Sequence, residues 1–232
     1  MSGRAVIVVD LQNEYLPIGK LPLVGIEEAV ATAAGVIDAA RTSGEPVIFI
    51  RHEGEDSDSP IFTPGTANVE IIPAVLPQAQ EPVIVKHFPN SFRETGLQAM
   101  LDEQGIDEVV VFGAMSHMCI DATARAAADF GYAVTVVEDA CATRDLEFAG
   151  KKVAAPDVHA AFMSALAFGY ANVVTAEDLA AEWRRAGSIT GSLARSGSRD
   201  ARTPGILAAC ADGRTARPSP HCPGRCARLQ QL

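Results

Sequence analysis

Asp10, Lys86 and Cys119 are three residues whose types and surroundings suit nucleophilic chemistry. Cys119 follows the apolar run Val109-Val110-Val111-Phe112-Gly113 and a short polar turn, and an Ala-rich stretch comes after it. That pattern predicts a thiol at the carboxyl end of a buried strand and on the amino end of a helix. Helix N-termini favour anions, so the placement predicts a lowered thiol pKa. Asp10 ends the apolar run at 6–9, and Lys86 ends the run at 83–85. In an open parallel sheet the carboxyl ends of the strands share one edge, and ligands bind in the crevice there. A carboxylate at that edge can take the thiol proton, and a lysine can favour the thiolate and stabilise developing negative charge. Backbone N–H groups in the turn before Cys119 can hold an oxyanion. Each residue also has a plainer reading: a cap or turn for Asp10, a solvated edge charge for Lys86, a small buried hydrophobe for Cys119.

Such a site needs a scaffold of alternating strands and helices, and residues 1–186 carry the signals for one. Buried-strand runs cover 5–9, 46–50, 82–85, 108–112, 133–137 and 172–175. Helical runs cover 25–41, 95–104, 119–130 and 156–168, the first with Val30, Ala33, Ala34 and Ile37 on one face. Strands separated by helices predict an α/β fold, a parallel sheet with helices on both faces. The chain's 232 residues, 48% of them hydrophobic, suffice for one such domain with a sizeable core. A net charge of −10 argues against nucleic acid as a partner. No apolar run approaches the roughly 18 residues of a membrane span. No signal segment is read before the first strand, so the expectation is a soluble, cytoplasmic protein. Five unevenly placed cysteines do not read as a disulfide scaffold.

Residues 187–232 differ in kind. They hold seven Arg, six Gly, five Ser, four Pro and no aromatic residue. Charge changes from −15 over 1–186 (12 basic, 27 acidic) to +5 over 187–232 (7 basic, 2 acidic). This composition predicts a disordered C-terminal extension, because it buries too little apolar surface to order itself. Cys210, Cys222 and Cys226, with His221, match no strong zinc-ligand spacing.

The catalytic segments resemble the isochorismatase-like cysteine hydrolases, a family that includes nicotinamidases and related amidases. The matching pieces are Val8-Val9-Asp10-Leu11-Gln12-Asn13, Lys86 with Asn90-Ser91-Phe92, and Gly113-Ala114-Met115-Ser116-His117-Met118-Cys119-Ile120-Asp121-Ala122-Thr123-Ala124-Arg125. A weaker match surrounds His159. The pieces stand in family order over roughly residues 4–180. The resemblance implies a three-layer sandwich around a six-stranded parallel sheet and a catalytic triad of Asp10, Lys86 and Cys119. It also implies a non-proline cis peptide at Ala114–Met115, with the N–H groups of Met115 and Cys119 as the oxyanion hole. Family members that cleave isochorismate lack the cysteine, so isochorismate is not the expected substrate. Nicotinamidases bind a metal through Asp-x-His and a distant His. Here the corresponding stretch is Phe49-Ile50-Arg51-His52-Glu53, without the acid, so neither a metal nor nicotinamide is expected.

Tyr15, Phe92 and His117 flank these segments and are the expected substrate contacts; packing is the plainer role for the aromatics. A Cys119–His117 dyad is a rival mechanism, but two residues of one tight turn rarely reach thiol–imidazole geometry. Cys141 follows a strand without a helix start and reads as structural. The long acidic segment 52–80 reads as a lid or subunit contact. The expectation is a cysteine-dependent hydrolase of a small carboxamide or related C–N bond, working through a thioester. It needs no cofactor and assembles as a homo-oligomer, a dimer or tetramer. A non-catalytic relative that binds a small ligand or acts as a scaffold is the alternative. From composition, removal of residues 187–232 should leave the melting temperature within about 2 °C of the full chain, which thermal melts of the two forms check.

Overall fold

The computed structural model describes residues 3–185. The extension expected over 187–232, with Cys210, Cys222 and Cys226, lies outside the described residues. The apolar run near the amino end forms β1 (Gly3–Val9), whose last five residues are buried. A strand apolar on both faces belongs in the middle of a covered parallel sheet, and β1 sits there. It pairs in parallel with β2 (Val47–His52) on one side and β4 (Ile106–Ala114) on the other. β3 (Val83–Lys86) lies outside β2. β5 (Ala133–Ala142) lies outside β4. A short antiparallel hairpin, β6 (Leu146–Phe148) with β7 (Lys151–Val153), follows, and β8 (Asn172–Val174) closes the sheet. The order is β3-β2-β1-β4-β5-β8, six strands, all parallel.

The chain steps outward from β1 to β3, then returns to β4 beside β1. Direction therefore reverses between β1 and β4, where loops diverge and leave a crevice. Four helices connect the strands: α1 (Ile26–Ser43), α2 (Leu97–Glu103), α3 (Asp121–Asp129) and α4 (Ala155–Gly169). Right-handed crossovers put α1 on one face and α2, α3 and α4 on the other, giving the three-layer sandwich. In α1 the buried residues Ile26, Ala29, Val30, Ala33, Val36, Ile37 and Ala40 recur at helical spacing. The helix ends where Gly44 turns left-handed, its N–H donating to the Ala40 and Arg41 carbonyls.

Two elements depart from the sequence expectation. The helix expected from residue 119 starts at Asp121, and one π-helical turn, Ser116–Ile120, precedes it. The β6–β7 hairpin was not foreseen, because three-residue strands carrying Glu147, Lys151 and Lys152 are too short to show a period. Cys141 lies within β5, buried, its thiol donating to the Val137 carbonyl at 3.3 Å, as a structural cysteine.

The meeting of β1 and β4 at the crevice depends on Gly113. Its φ is +129°, and a Cβ there would lie 1.9 Å from the Val9 carbonyl oxygen. Val9 is its register partner and the residue before Asp10. Gly113→Ala should therefore destabilise the protein by about 3 kcal/mol or more, since neither the φ nor the backbone contact can relax cheaply. Urea unfolding of the variant measures this.

Candidate active site

Asp10, Lys86 and Cys119 meet at the carboxyl edge of the sheet. Asp10 leaves β1 with φ 51°, a left-handed conformation that Asp tolerates better than most residues. Its N–H continues the ladder to the Ile50 carbonyl at 3.0 Å. Its side chain is wholly buried, and Lys86 is 1% exposed. Lys86 Nζ lies 2.7 Å from Asp10 Oδ2. The Asp10 carboxylate also bonds to the Cys119 side chain, a contact that helps to raise the thiol pKa. The same ammonium donates to Cys119 Sγ at 3.3 Å and lies 3.0 Å from His52 Nδ1.

Burial and charge set the protonation states. Burial pulls the Lys86 pKa down, but Asp10 and Cys119 outweigh it, so the group is held above its ordinary value as an ammonium. Burial also pushes the Cys119 thiol well up, Asp10 adds to this, and Lys86 opposes it. That overturns the lowered thiol pKa expected from a helix N-terminus. Cys119 sits one turn before α3 and is 6% exposed, so desolvation outweighs the dipole. Burial thus favours the protonated thiol over the thiolate at Cys119.

The Ala114–Met115 peptide is cis. The Met115 carbonyl accepts from the N–H groups of Met118 and Ile120 and skips that of Cys119 between them. Behind the turn, buried Ser116 Oγ lies 2.9 Å from His159 Nδ1 and 3.3 Å from the Ala142 carbonyl. His159 Nε2 in turn lies 3.1 Å from Glu138 Oε2. This chain ties the turn to β5 and α4. Ser116 and His159 lay in matched segments of the sequence; Glu138 follows from tertiary placement alone.

The expected substrate contacts divide. Tyr15 is buried, packs edge-on against Phe62 at 5.3 Å, and feels the charges of Cys119 and Asp10 after burial itself in raising its pKa. His117 Nδ1 lies 2.6 Å from Thr143 Oγ1, and its ring meets Phe162 edge-on at 6.0 Å. Burial and Arg144 lower its pKa, so it is a neutral group at the rim. The ring contacts of Phe92 do not bring it to the three residues: it packs against Phe130 and Tyr132, before the amino end of β5.

Sequence reasoning missed Gln12 and the part played by His52. Gln12 is wholly buried. It accepts from the His52 N–H at 2.8 Å and donates to the His52 and Val69 carbonyls at 2.8 and 2.7 Å. It thereby pins the 53–82 segment over the ends of β1 and β2. Among the described residues, no group of three or more His, Cys, Asp or Glu is placed to hold a metal ion. The residue two before His52 is buried Ile50, and His52 Nδ1 faces Lys86, so these residues do not fit the nicotinamidase metal set. Two other concavities, one bordered by Arg41, Glu81 and Gln104, the other by Arg4, Ile106 and Trp183, contain none of the three residues.

The isochorismatase domain family model matches residues 4–178. An uncharacterized isochorismatase family protein of Bacillus subtilis is 49% identical over 173 residues, covering 75% of this chain and 96% of that one. Maleamate amidohydrolase of Pseudomonas putida is 29% identical, over 75% of this chain and 84% of its own length. A crystal structure described as a putative isochorismatase hydrolase from Oleispira antarctica superposes with a TM-score of 0.75 at 48% identity, covering 78% of this chain and 97% of that one. With a six-stranded parallel sheet of the same architecture and a family match over most of its length, the chain belongs to the isochorismatase family of hydrolases.

Proposed function

We propose that this protein hydrolyses a small carboxamide or related C–N bond through a thioester on Cys119. The observation that carries this reading is one buried ammonium, Lys86, in contact with both a buried carboxylate, Asp10, and a thiol, Cys119. Relatives named maleamate amidohydrolase and nicotinamidase support the amide class. Asp10 accepts the thiol proton as sulfur attacks the carbonyl carbon. The N–H groups of Met115 and Cys119 hold the resulting oxyanion. Asp10 returns the proton to the leaving amine, and the C–N bond breaks to give the thioester. Asp10 then takes a proton from water, which attacks the thioester, and the proton returns to sulfur as the acid product leaves. Lys86 stabilises the anionic sulfur at both stages. Tyr15 and neutral His117 border the substrate.

A free thiol as the reactive group suits a reducing compartment, which supports a cytoplasmic location. No helix among the described residues is long and apolar enough to cross a membrane. Exposed Ile18, Phe148 and Phe168 support self-association as a homo-oligomer.

Ammonia release from a panel of small amides tests the activity, and Cys119→Ala should abolish it. Asp10→Asn separates two effects of one carboxylate. Loss of the base should lower turnover at least about 100-fold. Loss of the negative charge beside sulfur should not slow alkylation of Cys119 by iodoacetamide, because Asp10 raises the thiol pKa. Turnover by Asp10→Asn within about tenfold of wild type would remove Asp10 from the role of base. Since the thiol is raised, the wild-type alkylation rate should still climb between pH 8 and pH 10, the direction expected when the thiolate is the minor form. A rate already level at pH 8 would show a preformed thiolate.

A further inference from the structure

Lys86 is carried by the edge strand β3, whereas Asp10 follows β1 and Cys119 lies beyond β4. β2 stands between, and its last residue, His52, is the register partner of Lys86. The lysine side chain must therefore cross the end of β2 to reach the carboxylate and the thiol. The His52 imidazole lies on that path. An ammonium has three hydrogens and no acceptor. Here it has three partners: Asp10 Oδ2 at 2.7 Å, His52 Nδ1 at 3.0 Å and Cys119 Sγ at 3.3 Å.

We propose that His52 is a positioning residue: as the neutral tautomer with its proton on Nε2, it accepts one Lys86 hydrogen at Nδ1 and so aims the other two at Asp10 and Cys119. The inference rests on the triad reading above. The His52 backbone N–H and carbonyl are both bonded to the Gln12 side chain. Its ring meets Phe62 edge-on at 4.9 Å, and Phe62 meets Tyr15 in the same way. Four groups act on its charge: burial comes first, then Lys86, in lowering its pKa to about 4; Asp10 opposes and His87 adds a little. Imidazole therefore stays an acceptor at neutral pH.

The test is the rate at which iodoacetamide alkylates Cys119 at pH 8 in the full chain, read by mass spectrometry of the Cys119 peptide. His52→Phe keeps a ring against Phe62 and removes the acceptor. His52→Asn offers an amide oxygen close to the position of Nδ1. A misdirected ammonium supports the thiolate less, and one unit of thiol pKa is tenfold in thiolate. His52→Phe should therefore fall about tenfold, towards Lys86→Met, while His52→Asn stays within about threefold of wild type. Long-range proton–nitrogen NMR of the unsubstituted protein should show His52 protonated on Nε2 alone from pH 6 to 8, which decides the matter if His52→Phe does not fold. A proton on Nδ1, or wild-type alkylation in His52→Phe while Lys86→Met is slow, overturns the role of His52 alone. Wild-type alkylation in Lys86→Met removes the triad and this inference with it.

Discussion

An ammonium taken out of water loses a hydration energy that only charge and hydrogen-bond acceptors can replace. Lys86, 1% exposed, is such a group, and the carboxyl edge of the sheet is organised by what it requires. One negative charge from Asp10 keeps it protonated. An imidazole and a thiol take its other two hydrogens. Removing one partner of a buried ion pair generally costs about 3–5 kcal/mol, because the other is left uncompensated. The same contacts that make the lysine tolerable therefore fix where the carboxylate and the sulfur stand.

Four neighbouring strands supply these groups, one each: Lys86 from β3, His52 from β2, Asp10 from β1 and Cys119 from the turn after β4. A parallel sheet makes this possible, since all its carboxyl ends face one way. The reversal between β1 and β4 opens the crevice beside Asp10 and Cys119. Gly113 lets those two strands converge there, and Asp10 turns out of β1 in a left-handed conformation. On the far side of the turn, Ser116, His159 and Glu138 hold the backbone of the sulfur-bearing segment against β5 and α4.

The meeting of Asp10, Lys86 and Cys119 was legible because it depends only on strand direction and on which residue ends each strand. Apolar runs at 6–9, 83–85 and 109–112 announce both. The thiol's protonation state was not legible. Strand-to-helix order suggested a helix dipole acting on sulfur, but the segment folds as a π-helical turn, and burial governs the pKa. His52 was weighed in the sequence only as part of a metal set it does not complete. Its contact with Lys86 depends on the β2–β3 register, which leaves no periodic trace. Phe92 belongs to one of the family motifs, and its ring packs against Phe130 and Tyr132, a placement that the motif alone does not announce because it says nothing of which way a loop side chain turns.

The lysine at the centre of these contacts is borne by a short edge strand. β3 has four residues, one hydrogen-bonded neighbour, and Val83 and Val85 facing solvent at 40% and 37% exposure. Proteins open locally with free energies well below that of global unfolding, and short edge elements lie at the low end. The ammonium is thus tied to the sheet ladder through β2 alone, so amide hydrogen exchange along this four-residue edge, more than along β1 or β4, reports how firmly it is held.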